Sequence, residues 1–310
     1  MAVLSIQSHV VYGYAGNTAS VFPLQRLGNE VWAINTVEFS NHTGYGSWKG
    51  KVLGSDLVSD LVSGLEERGV LNRCDAVLSG YLGDADTANA VIGAVKSVKK
   101  YSPNAVYCCD PVMGDTDRGI YVKPDIPNMI REELVPLADI ICPNQFELEI
   151  LTGTAVKNLD DALKAVSKLH EMGPKIVLVT SFREKQGELG MIASMRNSLS
   201  FNCENPSENI LYKITTPELP LPGSVAGTGD MTTSIFLSHY LKTKDIKKTL
   251  SCCTSSVFGI LEESYKRARE QSHDQPSMSI GEKPIELDFI SSQEQLINPT
   301  HIFNAEKIFV

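Results

Sequence analysis

Residues 75–110 read DAVLSG YLGDADTANA VIGAVKSVKK YSPN AVYCCD. The runs at its two ends, 75–80 and 105–110, are short and apolar throughout. A strand with one wet face alternates apolar and polar residues; an unbroken apolar run is the mark of a strand buried on both faces of a parallel sheet. The stretch between them predicts a helix over 84–101, so the whole is a strand–helix–strand unit. The same unit recurs on either side. Strands are predicted at 2–8, 31–38, 139–142 and 175–181 in addition, and helices at 16–27, 55–68, 125–136, 144–152 and 159–172. In the last helix Leu163, Val166, Leu169 and His170 recur at helical spacing, with Asp160, Asp161 and Glu171 on the polar side. Five such units argue for a doubly wound α/β sheet, mostly parallel and flanked by helices. The order breaks after residue 181. Segments 187–195, 198–204 and 209–216 follow with no helix between them and predict an antiparallel meander at the sheet edge. Helices at 229–241 and 245–270 come next, and the polar stretch 271–284 is expected to be a surface loop. With no internal repeat and no linker, residues 1–310 are expected to form one domain.

Composition excludes several classes of function. The chain is 42% apolar and 21% charged, a globular balance that rules out disorder, collagen and coiled coil as the main architecture. Its net charge is −9, unsuited to general nucleic-acid binding, which needs cationic surface to displace counterions. No apolar stretch approaches the roughly 18 residues of a membrane span. The first residues, MAVLSIQSHV, read as a strand and not a signal peptide, and the last, AEKIFV, carry no anchoring or retention signal. Seven cysteines form no C-x-x-C and sit mostly in apolar runs, which fits buried free thiols. A cytoplasmic protein is the expectation. The one glycosylation sequon is Asn41-His42-Thr43.

In open α/β sheets ligands lie beyond the carboxyl ends of the strands. Polar residues gather at those ends: Ser8-His9, Asn41-His42-Thr43-Gly44, Asp110-Pro111 with Asp115, Asn144 with Glu147, and Thr180-Ser181. A purely structural protein has no need of this convergence. Further along, residues 223–237 read GSVAGTGDMTTSIFL, a glycine turn feeding an amphipathic helix that opens near Gly229. The unpartnered N–H groups and electropositive end of a helix suit an anion, and Gly227-Thr228-Gly229 can let a phosphate approach the backbone. The same residues also read as a tight turn capped by Thr228 or Asp230. The dinucleotide fingerprint fails, because residue 232 is Thr and the following segment is another helix; the P-loop fails, because no G-K-[ST] occurs.

Asp230 stands beside this cradle. A carboxylate there can accept the proton of a substrate hydroxyl as it attacks phosphorus. The helix end supplies about 0.3–2 kcal/mol toward holding a polyanion, too little in an acidic protein, so a cation is required. Asp110, Asp115 and Glu147, with Asn144, are the candidates to hold it, since Mg²⁺ takes one or two carboxylates, phosphate oxygens and water. Each has a plainer reading: Asp110-Pro111 as a turn, and Asn144-x-x-Glu147 as a capping box. The two can coexist.

The blocks SIQSHVVYGYAGN (5–17), FSNHTGYGSWKGKVL (39–53), LSGYLGD (78–84), CDPVMGDTDRGIYV (109–122), CPNQFELEILTG (142–153), VTS (179–181) and GTGD (227–230) resemble pyridoxal kinases, the vitamin B6 branch of the ribokinase superfamily. The resemblance runs from residue 3 to about 241 and is weaker over the last 70 residues. It implies a ribokinase-like fold, a homodimer, and transfer of the γ-phosphoryl of ATP to the 5′-hydroxymethyl of pyridoxal, pyridoxine or pyridoxamine. It also implies Mg²⁺ or Zn²⁺, and often K⁺ or Na⁺. By position, Asp230 becomes the base and Gly227, Thr228 and Gly229 the anion hole. Ser8, Thr43 and Tyr81 become contacts to the pyridine ring. Asp110, Asp115, Asn144 and Glu147 fall near ATP and its cations, Thr180, Ser181 and Thr228 on the nucleotide, and Tyr121 on a flap over the phosphates. The chain departs from the family's pattern at Cys142, where many members carry Thr, at Ile120, where some carry a flap cysteine, and at Ala226, where a larger residue is usual. His9 and His42 read either as packed loop residues or as part of the ligand shell; Trp32 and Trp48 read as packing, with Trp48 in a hairpin over the pocket. Alternatives are a hydroxymethylpyrimidine or sugar kinase of the same superfamily, or a non-catalytic B6-binding protein.

Overall fold

A computed structural model describes residues 1–196, 209–221, 225–274 and 285–309. Its strands are β1 (Ala2–Tyr12), β2 (Glu30–Asn41), β3 (Gly50–Val52), β4 (Cys74–Ser79), β5 (Val106–Cys109), β6 (Gly114–Asp115), β7 (Gly119–Ile120), β8 (Ile140–Ile141), β9 (Ile176–Phe182), β10 (Glu188–Met195), β11 (Ile210–Pro217) and β12 (Glu306–Ile308). The helices are α1 (Asn17–Arg26), α2 (Ser55–Glu67), α3 (Ala85–Tyr101), α4 (Ile126–Met129), α5 (Gln145–Thr152), α6 (Leu159–Met172), α7 (Thr228–Thr243), α8 (Ile246–Asp274) and α9 (Phe289–Ser292). Among the described residues one sheet runs β12-β11-β10-β9-β8-β5-β4-β1-β2-β3. Strands β9 through β2 in that order are parallel; β10, β11 and β12 are antiparallel on one edge, and β3 is antiparallel on the other.

The apolar runs are explained by two separate cores. In β4, Ala76 and Leu78 pack into one core while Val77 enters the other; in β9, Ile176 and Leu178 divide from Val177 and Val179 in the same way. Side chains alternate across a strand, so a strand covered on both faces must be apolar at every position. The first core adds Val58 and Val62 of α2, Val91 and Val95 of α3 and Val166 and Leu169 of α6. The second adds Leu24 of α1, Ile235 and Leu237 of α7 and Leu250 and Ile260 of α8. β1 pairs with β2 on one side and β4 on the other, which makes the carboxyl end of β1 the switch point where a doubly wound sheet opens to ligands.

Two expectations, both of helix extent, are corrected. The predicted strand 198–204 lies outside the described residues; β10 pairs with β11, and β11 pairs with β12 from the far end of the chain. The edge strand β3 was not anticipated. The predicted helix 125–136 is broken into α4, a five-residue π turn (Ile130–Leu134) and a 3₁₀ turn (Val135–Leu137); Pro127 is tolerated in the first turn of α4, while Pro136 removes a donor from the far end. Helix α8 extends to Asp274, into the stretch expected to be a loop, of which 275–284 lies outside the described residues. Cys74, Cys108, Cys109, Cys142, Cys252 and Cys253 are free, and all but Cys252 are buried; Cys203 lies outside the described residues.

Candidate active site

Helix α7 begins at Thr228, and its N-cap is Gly227, in the left-handed region at φ +77°. A side chain at Gly227 would overlap the carbonyl oxygen of Tyr14 and come within 3.0 Å of Ala19 Cβ. Glycine is therefore required twice, by its φ and by the close approach. With no side chain at the N-cap, the first-turn N–H groups are not capped from that position. Asp230, in the first turn, accepts a hydrogen bond from the Gly16 N–H at 2.8 Å. Burial raises the pKa of Asp230, and the Gly16 bond offsets part of that rise.

Gly227, Thr228, Gly229 and Asp230 line a cavity of about 490 Å³. Asp110, Asp115, Tyr121, Asn144, Glu147, Thr180 and Ser181 line it too, so the strand-end residues of β5, β8 and β9 share one cavity with the start of α7. Asp110 lies just past β5, and its carboxylate accepts from Thr233 Oγ1 of α7 at 3.1 Å. Asn144 caps α5: its Oδ1 accepts the Glu147 N–H at 2.8 Å, while Glu147 Oε2 accepts the Asn144 N–H at 3.0 Å. This is the capping box. Glu147 Oε1 accepts the Met113 N–H at 2.9 Å, and Asn144 Nδ2 donates to the Gly114 carbonyl at 2.8 Å, fastening the β6–β7 hairpin to α5. Ser181 holds φ +55°, a strained conformation for a residue with a side chain, at the carboxyl end of β9.

The three carboxylates do not form one cluster. Among the described residues no three His, Cys, Asp or Glu side chains are gathered to hold a metal. Asp115 is turned to Arg118, which forks its Oδ2 through Nε at 2.8 Å and Nη2 at 2.6 Å and lies over the Tyr121 ring. In this conformation the charge of Asp115, expected to lie near the cation, is matched by Arg118. Asp110 and Glu147 still fit a hard divalent cation. Both are buried oxygen donors; burial raises the pKa of each, and repulsion from Glu147 and Asp230 raises Asp110 further. A cation beside them would relieve that cost.

Sequence reading missed one wall of the cavity. Thr254, Val257, Phe258 and Leu261 of α8 line it with Val225. Spaced i, i+3, i+4, i+7, they form a helical stripe indistinguishable in the sequence from core. An apolar wall in the same cavity as the α7 N-terminus suits a flat heterocycle.

Ser8, Thr43 and Tyr81 do not line this cavity; they belong to the switch-point side. Ser8 is buried against Gly16, the residue whose N–H holds Asp230, so it lies one residue contact from the carboxylate. Thr43 opens a 3₁₀ turn, Thr43–Tyr45, after β2. Tyr81 follows β4, its carbonyl accepting Thr36 Oγ1 at 2.7 Å. His9 Nδ1 is 2.7 Å from Glu38, and His42 Nε2 is 3.1 Å from Glu286, so both histidines are hydrogen-bonded to carboxylates. Trp48 is exposed and packs on Phe39.

A family model described as phosphomethylpyrimidine kinase matches residues 67–272. The pyridoxal kinase PdxY of Rubrobacter xylanophilus is 44% identical over 310 residues, covering 99% of this chain and 97% of that protein. The PdxY of Deinococcus radiodurans is 42% identical, covering 99% and 96%. The chain also superimposes on the Leishmania donovani pyridoxal kinase solved with ADP and pyridoxamine, with a TM-score of 0.87 and 29% identity over 99% of each chain. Given the doubly wound sheet, the glycine cradle at α7 and these likenesses, the chain belongs to the pyridoxal kinase family, phosphotransferases of the ribokinase-like fold.

Proposed function

We propose that this protein transfers the γ-phosphoryl group of ATP to the 5′-hydroxymethyl of pyridoxal, and of pyridoxine and pyridoxamine. The observation that carries the reading is Asp230 in the first turn of α7, facing the same cavity as the uncapped Gly227–Gly229 cradle and tied to the Gly16 N–H. In this reading the adenine lies along Val257 and Phe258, the phosphates run past Thr180, Ser181, Asn144 and Tyr121 to the α7 N-terminus, and Thr228 contacts them there. Ser8, Thr43 and Tyr81 hold the pyridine ring. Asp230 accepts the hydroxyl proton while the oxygen attacks in line; burial, which raises its proton affinity, favours that role. In a loose transition state the nucleophile's proton leaves late, so positioning supplies most of the acceleration, about 7–11 kcal/mol.

Asp110 and Glu147 would hold a divalent cation, Mg²⁺ or Zn²⁺, which when bound neutralises phosphate charge in an acidic site. Cys142 lines the cavity with a soft sulfur, where a hydroxyl would suit K⁺ or Na⁺ better, so monovalent stimulation is expected to be weak. A homodimer working in the cytoplasm is the accompanying expectation; among the described residues no helix is long and apolar enough to cross a membrane.

The family model's description favours a second reading, a hydroxymethylpyrimidine kinase. An ATP-coupled assay across the B6 vitamers, hydroxymethylpyrimidine and ribose decides between them. Turnover of pyridoxal is expected; turnover confined to the pyrimidine or the sugar would overturn the proposal.

A further inference from the structure

Glu286 comes from the segment entering α9, far in sequence from any motif of the site. Its side chain is 20% exposed and joins three donors from two loops. Oε2 accepts the Tyr14 N–H at 3.0 Å. Oε1 accepts from His42 Nε2 at 3.1 Å and from the Tyr45 hydroxyl at 2.7 Å. A carboxylate can only accept, so the His42 ring is protonated on Nε2. Glycine at position 13, φ +82°, makes the approach possible: a Cβ there would come within 2.6 Å of all three carboxyl atoms.

The two loops that Glu286 ties down are the two that carry the acceptor side of the site. His42 and Tyr45 bracket Thr43 in its 3₁₀ turn, and their rings pack at 4.7 Å. Tyr14 presses its carbonyl against Gly227 of the cradle, and two residues on, Gly16 N–H holds Asp230. The sheet supports neither loop directly, since both lie past their strands. Burial opposes ionisation of Glu286, but hydrogen bonds from His42, Tyr45 and Tyr14 outweigh it and hold its carboxyl below the usual range.

We infer that Glu286 is a positioning residue for the acceptor alcohol, fixing the Thr43 turn relative to Asp230 and the phosphate cradle. This rests on the assignment of Thr43 and Asp230 made above. Among the described residues the hydrogen bonds of Glu286 go to Tyr14, His42 and Tyr45 and not to α8 or β9, so the effect is expected to separate by substrate.

The test is steady-state kinetics on the full chain with ATP and pyridoxal, with thermal melts and ADP binding by calorimetry in parallel. Glu286→Ala is expected to raise KM for pyridoxal at least tenfold and lower kcat about tenfold, with ADP affinity within threefold of wild type. Tyr45→Phe, which removes one bond and leaves the others, is expected to raise KM for pyridoxal two- to fivefold alone. Glu286→Gln can satisfy the His42–Tyr45 pair or Tyr14 but not all three donors, and is expected to fall between wild type and Glu286→Ala. Unchanged acceptor KM in folded Glu286→Ala and in Tyr45→Phe would overturn the inference, as would equal losses for nucleotide and acceptor. A wild-type protein that phosphorylated no B6 vitamer would refute the proposed function itself, and the inference with it.

Discussion

Replacing Gly227 by Ala tests the phosphate cradle through a single methyl group. Two costs follow from the structure. The left-handed φ of +77° costs an L-residue roughly 1–2 kcal/mol. The new Cβ also overlaps the Tyr14 carbonyl and lies 3.0 Å from Ala19 Cβ, which is buried. Tyr14 is held from behind by Glu286, so the displacement falls on the first turn of α7; overpacking of this kind costs about 1–3 kcal/mol more. Gly69→Ala is the matched control: φ is +71°, but nothing lies within 4 Å of the added methyl. Gly69→Ala should lower Tm by about 2–4 °C with full activity, and Gly227→Ala by about 4–10 °C. Turning a preorganised donor away from developing charge costs about 10²–10³ in kcat, so Gly227→Ala should lose at least a hundredfold in phosphate transfer measured at saturating substrates. A Gly227→Ala protein that melts like Gly69→Ala and turns over within threefold of wild type would refute the cradle.

His239 Nε2 is buried without a partner among the described residues, and burial, with Lys242 nearby, holds the ring's pKa down to about 4. The unfolded chain takes up this proton near pH 6.5 and the folded protein does not, so stability falls as pH drops from about 6.5 toward 4; the loss at pH 5 relative to pH 7 is roughly 1–2 kcal/mol. Denaturant unfolding of His239→Gln should show that much less acid sensitivity than wild type, and identical pH dependence in the two would contradict the assignment. Asn144→Ala removes both the α5 cap and the bond to Gly114. About 1 kcal/mol of stability should go with the cap, and the loosened hairpin should raise KM for ATP about five- to twentyfold with kcat within threefold; an unaltered KM would separate the hairpin from nucleotide binding.

The parallel strands were legible because burial on both faces writes itself into every residue, as in AVYCCD and KIVLVTS. The edges were not. β12 pairs with β11 across some ninety residues of sequence, and a three-residue strand has no periodicity to read. In the site, GTGD and the strand-end residues could be read because Gly, Asp and Asn have backbone-level reasons to be where they are. The fork of Arg118 on Asp115 depends on how a hairpin folds back, and neighbouring residue types do not disclose it. Thr254, Val257, Phe258 and Leu261 carry the same stripe whether they face a core or a ligand. Glu286 is one acid in a run without a motif, and its partners are recognisable only once three loops are placed together.

The central claim is that Asp230 takes the proton of the attacking alcohol. Asp230→Asn keeps the volume and an oxygen able to accept the Gly16 N–H, removing little besides basicity. Single-turnover phosphorylation of pyridoxal from ATP by this variant should slow by about 10²–10⁴, while ATP affinity stays within threefold. A rate within tenfold of wild type would mean that the proton leaves by another route.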